Sequence, residues 1–174
     1  MVLKFIYSVF LIIPVLINSG CGKEEKYPFD RSSLSFKNKF INENQFFMNG
    51  YYFREEGEFT KFYYFFENGY MHTNSLQIGD SECPEILDGT RDIPYAWGCF
   101  IVDEEILKVQ TYDPSSRERY DEYKVSERWF EIVNDSTLRY VKMITPEGDE
   151  EERNQVYQFT SCPDKPDSIN LLMD

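Results

Sequence analysis

The chain reads as an all-β protein, an antiparallel up-and-down meander of short strands that closes into one barrel. Three observations predict it. Segments rich in Tyr, Phe, Val and Ile recur along most of the sequence, and these residue types suit a pleated, half-buried surface. Clusters of Asn, Asp, Gly, Pro and Ser separate them, each with its own turn chemistry. The connections are too short for crossover helices, so strands that follow one another must pair antiparallel.

The elements follow in order. Residues 51–53 form the first strand, and residues 59–66 and 70–78 form a hairpin. Asn68-Gly69 joins that hairpin, because both residues tolerate the positive φ of a type I′ turn. Residues 95–102 place Tyr95, Trp97, Cys99 and Ile101 on one face, which predicts Trp97 buried on the inner side. Asp103-Glu104 is a weak turn before residues 107–112, and Asp113-Pro114-Ser115-Ser116 is a stronger one after them. Residues 120–133 change phase midway, since Tyr123 and Val125 are odd-numbered and Phe130 and Ile132 even-numbered. A period-two pattern slips only at a bulge or a turn, so one of these is expected within residues 126–129. If it is a bulge the strands number eight, the count at which a meander closes with room for side chains or one small ligand. Asn134-Asp135 leads to residues 138–144, where Leu138, Tyr140 and Ile144 share a face. Pro146-Glu147-Gly148-Asp149 leads to residues 156–160.

One hairpin carries aromatic rings on both faces: Phe59, Phe62, Tyr63, Tyr64, Phe65, Phe66 and Tyr70. One face belongs to the core. The other packs against the 41–48 segment, a bound partner, or nothing, and self-packing is the commoner answer because a monomer rarely exposes a large apolar patch.

The N-terminus is written differently. Lys4 precedes an almost uninterrupted apolar run from Phe5 to Ile17, followed by Asn18-Ser19-Gly20-Cys21. A positive start and a short apolar core ending in small residues describe a secretory signal peptide, and the run is shorter than the ~20 residues of a spanning helix. Leu16-Ile17-Asn18-Ser19-Gly20-Cys21 resembles the lipobox of bacterial lipoproteins, with Asn18 where Leu is usual. That resemblance implies lipid attachment at Cys21 and a chain held in the outer membrane by its acyl groups. Gly22-Lys23-Glu24-Glu25 resembles the export signal of surface lipoproteins in Bacteroidota-type bacteria, although charged linkers have similar composition. The organisation expected is a signal peptide over 1–20, a lipidated cysteine and flexible linker over 21–35, and a single barrel over 36–174.

Charge narrows the partners. The chain carries a net charge of −13, and loss of Lys4 with the signal peptide makes it −14. Nucleic acid and anionic lipid surfaces attract basic patches, so neither is an expected partner. Three cysteines remain after Cys21, which allows at most one bridge and three choices of it. Cys99 sits in a strand pattern and reads as a small buried residue. Cys83-Pro84 and Cys162-Pro163 lie in loop sequence and are the easier pair to oxidise, and three reduced thiols are the alternative.

At this point a second resemblance can be stated. Asn49-Gly50-Tyr51-Tyr52-Phe53, Tyr63-Tyr64-Phe65-Phe66-Glu67-Asn68-Gly69-Tyr70 and Trp97-Gly98 occur in that order. With Ile132-Val133-Asn134-Asp135-Ser136-Thr137 and Lys165-Pro166-Asp167-Ser168-Ile169-Asn170 they resemble the lipocalin-like lipoproteins of the same bacteria. The resemblance implies an eight-stranded calycin-type barrel and carries no catalytic residues with it.

Catalytic patterns are missing from the sequence. The single histidine, His72, excludes a multi-histidine zinc centre, and neither a Gly-x-Ser-x-Gly elbow nor a phosphate-binding Gly-Lys-Ser/Thr loop occurs. Adjacent carboxylates such as Glu55-Glu56 point to opposite faces of a strand and form no acid/base pair. The acidic run from Glu147 to Glu152 lacks the spacing of a calcium loop and reads as a solvated turn. Asp135-Ser136-Thr137 and Asp167-Ser168-Ile169 resemble a short O-glycosylation acceptor motif and double as turn chemistry. The expectation is a non-enzymatic, lipid-anchored envelope protein without cofactor or metal, binding a small apolar ligand or a protein or glycan partner. Tyr64, Trp97 and Tyr140 are the candidate lining residues. A solid barrel acting through its acidic surface is the alternative.

Overall fold

The structure, a computed structural model, describes residues 31–37, 39, 45–77, 83–86, 88–91, 93–116 and 119–169. Cys21, the signal peptide and the export motif lie outside the described residues. Eight antiparallel strands in sequence order close into a barrel: β1 Gly50–Glu56, β2 Phe59–Phe65, β3 Tyr70–Gln77, β4 Trp97–Asp103, β5 Ile106–Ser116, β6 Arg119–Asn134, β7 Thr137–Ile144 and β8 Glu150–Ser161. β1 closes the ring on β8, with Tyr52 opposite Phe159.

Two strands run past the turns expected of them. β5 continues through Asp113-Pro114-Ser115-Ser116, and its register on β6 shifts between Pro114 and Ser116, as suits a residue that donates no ladder hydrogen bond. β8 starts at Glu150, so the acidic run is half strand; Lys142 reaches Glu150 across the ladder at 3.3 Å. Tyr95 belongs to a 3-10 turn, Pro94–Ala96, and is exposed, so the fourth strand begins only at Trp97. The β2–β3 hairpin is looser than a type I′ turn. Strand pairing stops at Phe65 and resumes at Tyr70, and Gly69 alone takes a positive φ, of 82°. The Asn68 side chain instead accepts the Tyr70 N–H at 3.3 Å.

The phase change in β6 has a different cause from the expected slip. Pairing with β5 is continuous from Tyr123 to Glu131, so no residue is inserted there. What changes is the buried face. Phe130 and Ile132 pack in one apolar cluster and Tyr123 and Val125 in another. A bulge does lie alongside, but on β7: Trp129 opposes Lys142 and Phe130 opposes Tyr140, which leaves Val141 as the extra residue. It turns Met143 to the face of Tyr140 and puts Ile144 on the other, where Ile144 was expected to join Leu138 and Tyr140.

One cluster draws on all eight strands: Tyr52, Tyr63, Phe65, Met71, Phe100, Leu107, Val109, Phe130, Leu138, Tyr140 and Tyr157. Only the inside of a closed barrel is common to every strand, so this is the interior core. Phe46 joins it from the N-terminal segment and plugs one end, its ring edge-on to Phe65 at 5.4 Å. The Tyr52 hydroxyl ties that plug to the β6–β7 turn, donating to the Asp135 carbonyl at 2.7 Å.

The second cluster lies on the outer face of the wall around β2–β4. It joins Phe62, Tyr64, Phe66, Tyr70, Trp97, Cys99 and Tyr112 to Leu34, Ile86, Ala96 and Cys162, which come from segments outside the strands. Trp97 is therefore fully buried, but on the outside of the barrel, which corrects the inward placement expected of it. Its indole N–H donates to the Thr90 carbonyl at 3.2 Å. The cover is the chain itself; of the 41–48 segment expected there, residues 41–44 lie outside the described residues. Phe46 of the 41–48 segment points inside, and the outer face is roofed by the β3–β4 connection, which includes the helical turn Asp88–Arg91, and by residues 33–36. Leu34 is only 2% exposed and the Phe36 N–H donates to the Gln110 side chain, so these residues pack onto the barrel. Gly98 marks how tightly this wall is built, since a Cβ there would lie 2.1 Å from the Gln110 carbonyl oxygen.

Candidate functional site

The barrel interior has an apolar half and a polar half. Rings fill the half nearest the Phe46 plug: Tyr63 meets Phe130 and Tyr157 edge-on, both at 5.3 Å, and Phe130 stacks on Tyr140 at 5.0 Å. Toward the opposite end, which carries the β1–β2, β5–β6 and β7–β8 hairpins, the same inward positions turn polar. Register places Arg54 opposite Lys61, Lys61 opposite Ser75, Thr111 opposite Ser126 and Arg128 opposite Met143. Since alternate residues of a strand share a face, Arg54 follows Tyr52 inward, Lys61 precedes Tyr63, and Arg128 precedes Phe130.

Part of this polar end is self-contained. The Arg128 guanidinium donates to both Asp113 oxygens, at 3.0 and 3.2 Å, and to the Thr111 hydroxyl. Ser126 donates to Asp113 as well, at 2.5 Å. A charge-assisted pair of this kind holds its geometry where water is scarce. Arg153 pairs with Glu151.

The remainder is unfinished. Arg54 spends one terminal nitrogen on Glu56 at 2.9 Å, while its buried Nε has no partner. The Tyr63 hydroxyl is buried without a hydrogen bond of ordinary geometry; the nearby Thr73 hydroxyl is spent on the Phe62 carbonyl at 2.9 Å, and the Tyr157 phenol lies close to both Tyr63 and Arg54. Lys61 lies 5.8 Å from the Tyr63 ring centroid and forms no ion pair with a carboxylate among the described residues. Burial pushes its ammonium pKa down, an effect opposed by Tyr157 and reinforced by Arg128. Burial likewise raises the phenols of Tyr63 and Tyr157, the latter to about 12. Leaving a buried polar atom unpaired costs about 1–3 kcal/mol, so this end is held short of donor satisfaction at a real expense.

The candidate lining residues do not come together. Tyr140 lies inside, but Tyr64 and Trp97 belong to the outer cluster, where the Tyr64 hydroxyl donates to the Pro84 carbonyl at 2.7 Å. Cys83 and Cys162 form a disulfide that pins the β3–β4 connection to the C-terminal segment, and Cys99 is a buried free thiol. His72 is buried between Trp97 and Phe62, with neither ring nitrogen hydrogen-bonded. Burial, and secondarily the charge of Arg91, pushes its pKa down to about 4. No catalytic relay is assembled on it among the described residues. Nor, among them, do three His, Cys, Asp or Glu side chains gather as a metal site.

Two clefts lie outside the barrel. One, about 480 Å³, runs between Met48, Phe66 and the 165–168 segment. Lys165 anchors it by donating to the Phe65 and Met48 carbonyls, and burial lowers its pKa to about 8. The second, about 280 Å³, lies by Cys83 and Pro166. Asp167 of the acceptor-like motif is paired with Arg91 at 2.7 Å, and Ser168 accepts from Asn68 at 2.8 Å.

Arg54, Lys61, Tyr63 and Arg128 were not among the sequence candidates. The signal for them was available as spacing: each basic residue stands two positions from an inward aromatic. What class of protein carries this site rests on the fold alone, an eight-stranded lipocalin-like barrel. No family model, curated protein or solved structure matches the chain.

Proposed function

We propose that this protein is a non-enzymatic binding module, tethered to the bacterial outer membrane through lipid at Cys21, and that its ligand enters the polar end of the barrel. The observation that carries the binding reading is the pair of buried, unpartnered polar atoms there, the Tyr63 hydroxyl and Arg54 Nε, with the Lys61 ammonium 5.8 Å from the Tyr63 ring centroid. The tether rests on the lipobox-like Leu16-to-Cys21 segment. Stable anchoring takes more than one acyl chain, which that thiol would supply together with the new N-terminus.

Two experiments test the two halves. Native mass spectrometry of the protein purified from its host should reveal a co-purifying small mass; a clean apo-protein from several preparations counts against the binding module. Cys21→Ser should move the protein from the membrane to the soluble fraction. Retention of that variant on membranes after a high-salt wash contradicts the anchor.

The alternative of a solid barrel has its own support in the rings that fill the apolar half. It places all interaction on the acidic exterior and predicts no co-purifying mass.

A further inference from the structure

We propose that the polar end of the barrel binds an oxyanion borne by a small organic molecule, seated by the Lys61 ammonium, the Arg54 guanidinium and the Tyr63 hydroxyl. The inference rests on reading that end as the ligand site, and it names the ligand's chemistry.

Basic side chains on the inner wall of the polar end outnumber the carboxylates that pair with them. Five basic side chains occupy inward register positions there, Arg54, Lys61, Lys124, Arg128 and Arg153, and Lys124 pairs with Glu147 at the rim at 3.3 Å. Asp113 satisfies Arg128, Glu151 takes Arg153, and Glu56 takes one nitrogen of Arg54. Lys61 has no carboxylate left. Burial disfavours its charge, and the repulsion from Arg128 and Arg54 is offset only by the Tyr157 phenol and by Glu56, which Arg54 already holds. A bound anion removes both penalties together.

The unpaired atoms have the same chemistry. The Arg54 Nε–H and the Lys61 ammonium are donors only, and the Tyr63 hydroxyl can donate. An oxyanion accepts from all three. A metal ion or an ammonium ligand would meet cations, and a neutral hydrocarbon would leave the three groups dry and unpaired. The Tyr63 phenol, kept protonated by burial, remains a donor throughout the physiological range.

Size follows from the surroundings. The −13 chain repels polyanions, whereas a small anion inside the rim is screened from the outer carboxylates over about 8 Å at physiological salt. Carboxylates and phosphate monoesters both meet these requirements, and their shared oxyanion is what the site reads.

The test uses the full chain carrying Cys21→Ser, with hexanoate, inorganic phosphate and the neutral hexanol as probes in titration calorimetry and thermal unfolding. Hexanoate, phosphate or both should bind and raise Tm, as any ligand of the folded state does, while hexanol should not. Lys61→Met should weaken anion binding about tenfold or more, the loss of one charge-assisted hydrogen bond. The unliganded Lys61→Met protein should be at least as stable as the parent, because it sheds a half-buried ammonium that has no ion pair among the described residues; that result shows the loss is not misfolding. Phosphate binding without hexanoate assigns a phosphate ester, and the reverse a carboxylate. Hexanol binding as tightly as hexanoate, at a site weakened by Arg54→Gln, overturns the anion and leaves the binding module standing. Anion binding unchanged in Lys61→Met overturns the assignment. Failure of every probe, with no co-purifying mass from the host, overturns both.

Discussion

The wall formed by β2, β3 and β4 is buried on both faces, and the two faces are built on different plans. Inside, aromatic rings contributed by every strand interlock, so the core is a property of the closed barrel. Outside, Trp97, Tyr64, Phe66 and Cys99 are covered by loops: residues 33–36, the β3–β4 connection and the start of the C-terminal segment. The inner core cannot open without breaking the ladder. The outer one can lose its roof while the strands stay paired, since a disulfide and side-chain hydrogen bonds made by Trp97, Tyr64 and Gln110 hold it down rather than a strand ladder. Burial alone does not distinguish the two, since Phe130 and Trp97 are both fully enclosed. What distinguishes them is whether the cover belongs to the sheet.

The largest effects should come from large-to-small changes at those two residues. Phe130→Ala and Trp97→Ala should each cost about 3–5 kcal/mol, the range for deleting a large core aromatic. The consequences should differ. Phe130→Ala lowers the single cooperative transition of the barrel. Trp97→Ala should in addition expose the roof, read as early proteolysis within the β3–β4 connection at a temperature where the strands remain intact. Identical cleavage patterns for the two variants would erase the distinction.

Next comes the disulfide. Cys83 and Cys162 are 79 residues apart, a long loop whose closure restricts the unfolded chain by about 2–4 kcal/mol. Cys83→Ser with Cys162→Ser should lower the denaturation midpoint by that amount and loosen the outer roof more than the interior.

The aromatic double face explains how far the sequence could be read. Strand order and antiparallel pairing were legible because turn residues punctuate segments of Tyr, Phe, Val and Ile. The faces were not. Phe62, Tyr63, Tyr64 and Phe65 are buried in succession, and a period-two argument has no contrast to work with where both sides of a wall are covered. Trp97 was therefore read as inward, and the phase change in β6 as a slip, when it records a change of buried face. The polar end was hidden for the opposite reason. Lys61 stands between Thr60 and Phe62 like any solvent-facing lysine, and only the register that sets it opposite Arg54 turns it inside. Pro114 and the Glu150–Glu152 run misplaced strand ends because turn-like composition and strand geometry coexist at a bulge and at an ion-paired edge.

A smaller, pH-dependent effect belongs to the outer face alone. His72 has a folded pKa near 4, against an ordinary value of 6.5. Between those values the unfolded chain binds a proton that the folded chain refuses. Stability is therefore complete above about pH 6.5 and falls as the pH drops toward 4, by up to about 3 kcal/mol. His72→Phe should remove this part of the acid loss, and at pH 7 it should be neutral or mildly stabilising, because two unpaired buried nitrogens disappear. Denaturation midpoints of parent and variant, compared at about pH 7 and pH 4.5, measure it; curves that stay parallel would mean His72 is solvated.

The most direct measurement of the two-core account makes Trp97 the sole tryptophan with Trp129→Phe, then follows acrylamide quenching of its fluorescence with and without Cys83→Ser and Cys162→Ser. Opening the disulfide should raise quencher access to Trp97 several-fold while the far-UV circular dichroism of the strands is unchanged. If Trp97 stays shielded, or becomes accessible only as the strands unfold, the indole belongs to the barrel's own core and the outer roof is not a separate layer.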